Sequence, residues 1–398
     1  MKKTLFLLPF AATIGYAQQQ KPNVIVILVD DMGIGDNGTY GSTITPTPNI
    51  DQLAREGLQL GCFYSAAPVS SPARAGLLTG RYPIKYRMNT FLDSKAANAR
   101  VENANYLDPN APTMAHAFKD AGYSTGHFGK WHMGGGRDVT DAPGFEQYGF
   151  TSHVSTYESP DPDPKLTSTR WIWAASDEVK RWNRTAYFID RAIDFMKENK
   201  DHGKPFFLNL WPDDVHTPWV PEAVAEKRGE WEKRTSFIPV MEELDRQLGR
   251  FFNAIDSLGL KDNTIVVFTA DKSEVLLIKR KNEPYKGTWA FPGGFMDMNE
   301  TLEQCAYREL KEETNITVDV LYEIGVFSAV DRDPRGRTVT AAYYTFVEDK
   351  DKLNAKALDD AAEIEWFRID NIPTLAFDHK DILEKALRLI NYVTTNNI

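Results

Sequence analysis

Three acidic side chains in the last third of the chain are spaced so that they could bind a metal ion. They lie in the segment 302–314, whose residues Leu302, Ala306 and Leu310 recur at helical spacing. The acidic residues are Glu309, Glu312 and Glu313, and their i, i+3 and i+4 spacing places the carboxylates on one face of a helix. Carboxylates that close repel each other unless they hold a cation. A charge cluster on a helix is more often a solvated face, so the spacing alone leaves both interpretations open.

A second set of ionisable residues follows four apolar segments in the first 271 residues. These segments end near residues 29, 128, 211 and 270, and each reads as a buried strand. The polar residues that follow them are Asp30, Asp31, Lys130, His132, His216 and Asp271. In an open α/β sheet ligands bind outside the carboxyl ends of the strands, so we expect these side chains to converge. The carboxylates suit a hard cation, and the lysine and histidines suit an anionic substrate. Any one of them alone would more often be structural.

Ser70 is a candidate for an anion-binding position. In the stretch Ser70-Ser71-Pro72-Ala73-Arg74, Pro72 fits the first turn of a helix and places Ser70 at its N-terminus. Backbone N–H groups and the helix dipole favour anions there. The simpler interpretation is a helix N-cap. An unmodified serine hydroxyl with no adjacent base would be a weak nucleophile.

The elements that must position these residues alternate between strands and helices. Helix 113–121 is closed by Gly122 and precedes a strand, and helix 186–199 precedes the apolar segment 205–211. Residues 241–258 show apolar positions at three- and four-residue spacing and lead into the segment 264–269. This alternation predicts a doubly wound α/β sheet.

Length and charge restrict the remaining possibilities. A chain of 398 residues should hold two or more cores, and its net charge of −10 argues against binding to nucleic acid or to anionic membranes. Lys2 and Lys3, an apolar run to Ile14 and a small-residue site at Ala17 predict a signal peptide over residues 1–17 and therefore an exported, periplasmic protein. We expect no membrane span elsewhere. Cys62 and Cys305 fall on opposite sides of residue 271.

From about Pro22 to Asp271 the chain resembles the sulfatases. The segments that carry the resemblance are VILVDDMG, TPNIDQLAREG, SSPARAGLLTGRYP, AGYSTGHFGKWHMG, HTPW and LDRQLGRFFNAIDSLGLKDNTIVVFTAD, in the family's order. The resemblance implies an alkaline-phosphatase-like sheet and conversion of Ser70 to formylglycine by a maturase, with the hydrated aldehyde attacking sulfur. It also implies calcium bound by Asp30, Asp31 and Asp271. Arg74 would support the modified residue, while Lys130, His132 and His216 would act on the sulfate and the leaving group.

The resemblance to the sulfatases stops at residue 271. Lys272 stands where the family has Asn or His, and an ammonium there would repel a dication. The family's later lysine-bearing loop and C-terminal subdomain have no counterpart in this sequence. We therefore expect a truncated and inactive sulfatase-like domain over residues 22–271.

From about Thr264 to the C-terminus the chain resembles the Nudix hydrolases. Gly294, then Glu300, then the run from Arg308 to Glu313 and Asn315 have the spacing of the Nudix box. The resemblance implies an α/β/α sandwich over residues 264–398 that hydrolyses a nucleoside diphosphate joined to another group. Glu309, Glu312 and Glu313, with the Gly294 carbonyl, would hold Mg²⁺ or Mn²⁺, and Arg308 and Glu300 would pair. Glu309 is the first choice for a direct ligand or base.

The end of the Nudix-box helix and a later arginine-rich loop allow two further predictions. Asn315 replaces the glycine that ends the family's helix in a left-handed conformation, and Asn is the next most tolerant residue there. In the loop 331–337, Arg332 and Arg335 could contact phosphate or ribose, although the loop could also be merely solvated. This loop and two later segments look most like the ADP-ribose pyrophosphatase branch.

The two resemblances share one apolar strand, and only one sheet can use it. Val266–Phe268 and Val275–Ile278 are joined by a polar turn, so we expect a hairpin within the Nudix part and a poorly stable region before it. A nucleotide substrate would fit the cytoplasm better than the exported location that the signal predicts. Two alternatives stay open: a calcium-dependent sulfatase with a Nudix-like tail, and a non-catalytic nucleotide-sensing module.

Overall fold

The computed structural model describes residues 21–60, 65–67, 69–166, 175–270, 274–345, 347, 353–368 and 372–396. The predicted signal at residues 1–17 and residues Cys62, Asp271 and Lys272 lie outside the described residues. Within those residues, no helix is long and apolar enough to cross a membrane.

The first part of the chain forms a five-stranded parallel sheet, which confirms the predicted doubly wound architecture. Its strands lie in the order β3-β2-β4-β1-β5. Their bounds are β1 Asn23–Val29, β2 Ser124–Gly129, β3 Ser152–Ser155, β4 Phe206–Trp211 and β5 Thr264–Ala270. The carboxyl ends of β1, β2 and β4 therefore lie side by side, as the sequence predicted for residues that share a ligand site.

Helices cover both faces of this sheet. They are α1 Pro48–Glu56, α2 Ser70–Thr79, α3 Lys95–Arg100, α4 Met114–Asp120, α5 Arg184–Asp201 and α6 Arg234–Ser257. Side chains of β1 alternate between the two layers because successive residues of a strand point to opposite faces. Ile25 and Ile27 pack in the core that contains α5 and α6, while Val26 and Leu28 pack in the core that contains α2 and α4.

The strand shared by the two resemblances lies in the first sheet, so the predicted hairpin is wrong. β5 pairs in parallel with β1 from Asn23 opposite Thr264 to Val29 opposite Ala270. This register gives β1 a partner on its second side and packs Val266 and Phe268 against the core of the first part. β5 is an edge strand, and its outward residues are exposed: Ile265 by 52% and Val267 by 39%.

The second part is a smaller α/β region that begins with the strand at Glu274. Its elements are β6 Glu274–Arg280, β7 Trp289–Ala290, α7 Leu302–Thr314, β8 Tyr322–Phe327, β9 Thr340–Tyr344, β10 Ala361–Arg368 and α8 His379–Asn396. β6 lies between β10 and β7 in an antiparallel sheet, and β8 pairs with β9 in a second one. Ile382 and Ala386 of α8 pack on Ile324 of β8 and Ala342 of β9.

Helix α7, which carries the acidic cluster, has the predicted bounds and ends. Thr301 Oγ1 accepts a hydrogen bond from the Gln304 N–H, and the Gln304 side chain accepts one from the Thr301 N–H, which is a capping box. Asn315 follows the helix in the left-handed region at φ 59°, and its N–H donates to the Lys311 carbonyl. The left-handed helix end predicted at Asn315 is confirmed.

Candidate functional sites

Asp30 is the centre of the first candidate site. It directly follows β1 and is completely buried. Its Oδ1 accepts hydrogen bonds from Ser70 Oγ at 2.8 Å and from an Arg74 Nη at 2.7 Å, and its Oδ2 accepts one from Lys130 Nζ at 2.6 Å. Ser70 and Arg74 lie one turn apart at the start of α2, and Lys130 directly follows β2. The sheet therefore brings three of the predicted residues together on one carboxylate.

The charges around Asp30 keep it ionised. Burial alone would raise its pKa, but the positive charges of Lys130 and Arg74 outweigh burial and hold the pKa well below its usual value. Lys130 Nζ also lies 3.4 Å from Ser70 Oγ. The Arg74 guanidinium lies over the Trp211 ring, with 5.2 Å between Cζ and the ring centroid, which fixes its plane. Ser70 thus stands between a carboxylate and an ammonium group.

The two predicted histidines have different partners. His132 has its Nε2 3.0 Å from the Leu92 carbonyl oxygen and 3.5 Å from Glu158 Oε2, and burial lowers its pKa to about 4. His216 has its Nε2 3.3 Å from Asp31 Oδ2. His132 is therefore a neutral ring at pH 7, and His216 is the one that the structure brings beside a predicted metal-binding carboxylate.

The described residues of this site do not by themselves fit a calcium ion. Asp30 uses both oxygens to bind cationic side chains, Asp31 contacts His216, and Asp271 lies outside the described residues. Among the residues that the structure describes, no three His, Cys, Asp or Glu side chains lie close enough together to hold one metal ion.

A buried charge cluster behind His216 was missed by the sequence analysis. Asp213 Oδ2 accepts hydrogen bonds from Arg181 at 2.5 Å and from Arg184 at 3.2 Å. Arg181 also donates to the carbonyl oxygens of Asp213 at 2.6 Å and His216 at 3.0 Å, so it clamps the loop that carries this histidine. Asp214 accepts hydrogen bonds from Thr185 at the start of α5, and burial raises its pKa to about 6. The only signal in the sequence was the Asp-Asp pair after a strand, which matches the one after β1.

Arg308 organises the second candidate site, on α7. Its guanidinium donates to both oxygens of Glu300, at 2.6 and 2.9 Å, to Glu309 at 2.6 Å and to Glu312 at 3.0 Å. The structure thus shows the pairing of Arg308 and Glu300. The buried Glu313 instead accepts a hydrogen bond from the Gly293 N–H at 2.8 Å. The helix therefore holds the loop that contains Gly293 and Gly294, the Gly-rich loop, through one carboxylate, and Arg308 gathers three others around its guanidinium.

By their chemistry the donors on α7 suit a divalent cation, although among the described residues no three of these carboxylates lie close enough together to share one ion. Burial, followed by the neighbouring negative charges, raises the pKa of Glu309 and brings that of Glu313 to about 7, and a bound cation would relieve both effects. A Cβ at Gly294 would meet the Glu309 carboxylate, so a larger residue there would displace that carboxylate from its present position. Glu309, Glu312 and Glu313 with the Gly294 carbonyl are the residues that would hold the ion.

The two predicted substrate-binding arginines differ in accessibility. Arg332 is buried and pairs with both oxygens of Asp378, at 2.6 and 2.8 Å, and it also bonds the Thr340 hydroxyl. Arg335 pairs with Asp333 at 2.7 Å but keeps 43% of its side chain exposed. These contacts favour a structural role for Arg332 and leave Arg335 as the predicted ligand contact.

Two family models match this chain, and their matches overlap over residues 259–320. The model of the Sulfatase family matches residues 22–320, and the model of the NUDIX domain matches residues 259–387. N-acetylgalactosamine-6-O-sulfatase of Bacteroides thetaiotaomicron is 31% identical over 318 residues, which cover 65% of this chain and 60% of that protein. N-acetylgalactosamine-6-sulfatase of Rattus norvegicus is 30% identical over 322 residues, 73% of this chain and 59% of that protein.

A solved structure supports the same architecture for the first part. Ps i-CgsB in complex with k-i-k-neocarrahexaose superimposes with a TM-score of 0.51 at 27% identity, covering 63% of this chain and 58% of that one. The chain thus spans about 60% of the length of the curated relatives that it matches.

Proposed function

Since the chain belongs to the sulfatase family through residues 22–320 and matches the NUDIX domain over residues 259–387, we propose that it is a two-part hydrolase whose active part is the Nudix part. Its reaction is hydrolysis of the diphosphate of a nucleoside diphosphate derivative similar to ADP-ribose. The observation that carries this proposal is the arrangement of Glu300, Glu309 and Glu312 around Arg308.

Each residue of this arrangement has a role that follows from its contacts. Glu300 neutralises Arg308 and fixes its plane, and Arg308 lowers the pKa of Glu300 to about 2 in return. Arg308 then holds Glu309 and Glu312 on one side of α7. Burial raises the pKa of Glu309, which makes its carboxylate a better proton acceptor than an ordinary glutamate.

A bound Mg²⁺ or Mn²⁺ would supply polarisation of phosphoryl oxygens and a water molecule of lowered pKa. The chain's own contribution is to hold Glu309, Glu312 and Glu313 on one helix and the Gly294 carbonyl beside them. The Glu313 contact with Gly293 keeps that loop against the helix, so the donors stay within one short region of the structure.

This proposal is tested by incubating the protein and Mg²⁺ with ADP-ribose or with each member of a panel of nucleotides. A phosphate-coupled assay measures the hydrolysis. We expect activity in the whole protein and its loss in Glu312→Gln. Glu303→Gln is the matched control, because it makes the same chemical change in the first turn of α7, away from Arg308. Activity that survives Glu312→Gln, or no activity on any nucleotide, would contradict the proposal. Nucleotide binding without hydrolysis would favour the sensing module instead.

The convergence of Ser70, Arg74 and Lys130 on Asp30 favours sulfuric ester hydrolysis as a second candidate function. Formylglycine at position 70, made by a maturase, would be the nucleophile, and the neighbouring cations would bind the sulfate. We rank this activity second because Lys272 replaces a metal-binding residue. Mass spectrometry of the Ser70 peptide, with an aryl sulfate assay of the matured protein against Ser70→Ala, decides it. Sulfate release that depends on Ser70 would reverse the ranking.

Export through residues 1–17 is also part of the proposal. The basic start and the apolar run support it, whereas a nucleotide substrate fits the cytoplasm better. N-terminal sequencing of the protein from fractionated cells distinguishes a chain that begins near Gln18 from one that keeps Met1.

A further inference from the structure

Four side chains beside the Gly-rich loop alternate rings with guanidinium groups, and we call them the arginine–aromatic stack: Phe295, Arg335, Phe377 and Arg280. Arg335 Cζ lies 5.1 Å from the centroid of the Phe295 ring and 5.4 Å from that of the Phe377 ring. Arg280 Cζ lies 4.9 Å from the centroid of the Phe377 ring. The stack brings two arginines to one aromatic ring from elements that are far apart in the sequence.

The stack adjoins the carboxylate helix. Phe295 comes two residues after Gly293, whose N–H binds Glu313, and its carbonyl oxygen accepts a hydrogen bond from Arg308 at 3.1 Å. Phe295 is 64% exposed and Arg335 is 43% exposed, so a ligand in solution can reach both. The stack therefore forms one wall beside the donors that would hold the metal ion.

Two positive charges are crowded together in this wall. Burial, and after it the charge of Arg335, lowers the pKa of Arg280, so the two guanidinium groups repel each other. Arg280 Nε donates to the neutral carbonyl of Pro284 at 2.8 Å, and Arg335 binds Asp333. A guanidinium that stacks on a ring has its plane fixed and keeps its N–H groups at the edge, where they can bind an oxyanion.

The backbone beside Arg280 is strained, which is a second and independent observation. Tyr285 and Phe377 both have left-handed backbone conformations, at φ 63° and φ 52°. Their rings pack edge to face with 4.8 Å between centroids. Bulky residues rarely adopt positive φ, and such strain is retained mainly where it positions a ligand site. Here it places the Phe377 ring under both arginines.

We propose that Arg280 and Arg335 together bind the diphosphate oxygens of the substrate, with the Phe295 and Phe377 rings holding the two guanidinium planes in place. This inference rests on the proposed Nudix function, since it assigns the anion-binding wall of that same site. Two converging cations in a protein of net charge −10 favour a dianionic ligand over a neutral one. Arg332 has no part in this wall because Asp378 holds it.

The test measures binding and turnover separately in Arg280→Gln, Arg335→Gln and the control Arg337→Gln. Arg337 lies in the same loop as Arg335, but it donates to the carbonyls of Ser328 and Ala329. Calorimetric titration with ADP-ribose and with inorganic pyrophosphate in EDTA gives Kd without turnover. We expect each stack variant to raise Kd for both ligands by about 10- to 100-fold, as for loss of a charged hydrogen bond. Arg337→Gln should change it little.

Turnover supplies the second readout. With Mg²⁺, both stack variants should raise KM for the hydrolysed nucleotide by a similar factor and leave kcat within about threefold, because they remove ground-state and transition-state binding equally. Phe295→Ala is a further variant on an exposed side chain, and it should raise Kd by a smaller factor because it releases one face of Arg335. Circular dichroism verifies that each variant is folded.

The outcomes separate this inference from the proposed function. Turnover with unchanged Kd and KM in the stack variants would overturn the inference and leave the Nudix function in place. A second outcome is that the stack variants weaken ligand binding in EDTA but no protein, wild type included, hydrolyses a nucleotide. This outcome would support the anion-binding site and contradict the proposed hydrolase activity. Binding of neither ligand by the wild-type protein would overturn the inference, and absence of turnover with Mg²⁺ would overturn the proposed function.

Discussion

The carboxylate of Glu313 accepts a hydrogen bond from the backbone N–H of Gly293 at 2.8 Å. Glu313 belongs to α7 and Gly293 to the Gly-rich loop, so this contact joins the two elements that carry the proposed metal donors. Because burial raises the pKa of Glu313 to about 7, the contact depends on a group that titrates near neutral pH.

The burial of the Glu313 carboxyl, which outweighs the opposite effect of the Gly293 hydrogen bond on its pKa, predicts a specific pH dependence of stability. The pKa of Glu313 is raised in the fold, so its stabilising effect is complete below the unfolded value of 4.5 and is lost as the pH rises through about 7. We expect the melting temperature of the wild type to fall relative to that of Glu313→Gln across this window. Adding Mg²⁺ above the window should raise the melting temperature of the wild type more than that of Glu313→Gln, because only the wild type offers the ionised Glu313 carboxylate to the ion. A constant difference between the two proteins would contradict the assignment.

The end of α7 gives a prediction about backbone conformation. Asn315 lies at φ 59°, where Ala is disfavoured and Gly is not. We expect Asn315→Ala to lower the free energy of unfolding of the Nudix part by about 1 kcal/mol and Asn315→Gly to change it by less than about 0.5 kcal/mol. Chemical denaturation monitored by helix signal measures both. Equal losses would mean that the hydrogen bond from the Asn315 amide to Asn354 dominates instead.

The buried carboxylate of the first site predicts a large loss of stability. Asp30→Asn would leave Lys130 and Arg74 buried without their counter-charge, so it should destabilise the first part by roughly 3–5 kcal/mol. Asp161→Asn is the control, since Asp161 pairs with His153 but is 73% exposed. It should cost less than about 1 kcal/mol. Thermal denaturation measures both variants. Similar losses of stability in Asp30→Asn and Asp161→Asn would contradict the ion-pair network around Asp30.

The alternation along β5 predicts which residues hold it in the first sheet. Phe268 packs against the core, whereas Val267 faces outward and is 39% exposed. We expect Phe268→Ala to destabilise the first part by about 1–2 kcal/mol and Val267→Ala by a few tenths. Hydrogen exchange should also show strong protection of β1, which lies between β4 and β5. Destabilisation of the Nudix part alone by Phe268→Ala would restore the hairpin interpretation.

Local patterns in the sequence were sufficient for the elements whose signals are local. Helix α7 has its cap, its apolar spacing and its C-terminal Asn within fifteen residues, so its bounds were predictable. The buried strands of the first part were predictable because they are continuous apolar runs. Their side-by-side carboxyl ends followed from the rule for open α/β sheets, which is why Asp30 and Lys130 were expected to meet.

Long-range pairing decided the features that the sequence left open. The sequence of Val266–Phe268 fits a hairpin and a parallel sheet equally well. It joins the parallel sheet because β1, paired with β4 on one side, needs a partner strand on the other. From the sequence Arg332 could be a solvated loop residue, because its partner Asp378 lies 46 residues further along the chain. Arg280 ends a strand without any motif, and its relation to Arg335 depends on how two separate loops pack.

The pairing of β1 with β5 also bears on how this protein is made. Asn23 and its neighbour Thr264 are 241 residues apart, so at about 5–20 residues per second the ribosome needs on the order of 10 to 50 s to supply the partner of a strand already synthesised. Throughout that interval the apolar edge of β1 is open to chaperones and to misassociation. Since β5 ends at Ala270, the first sheet can close without any residue of the Nudix part, so the two parts can fold in succession.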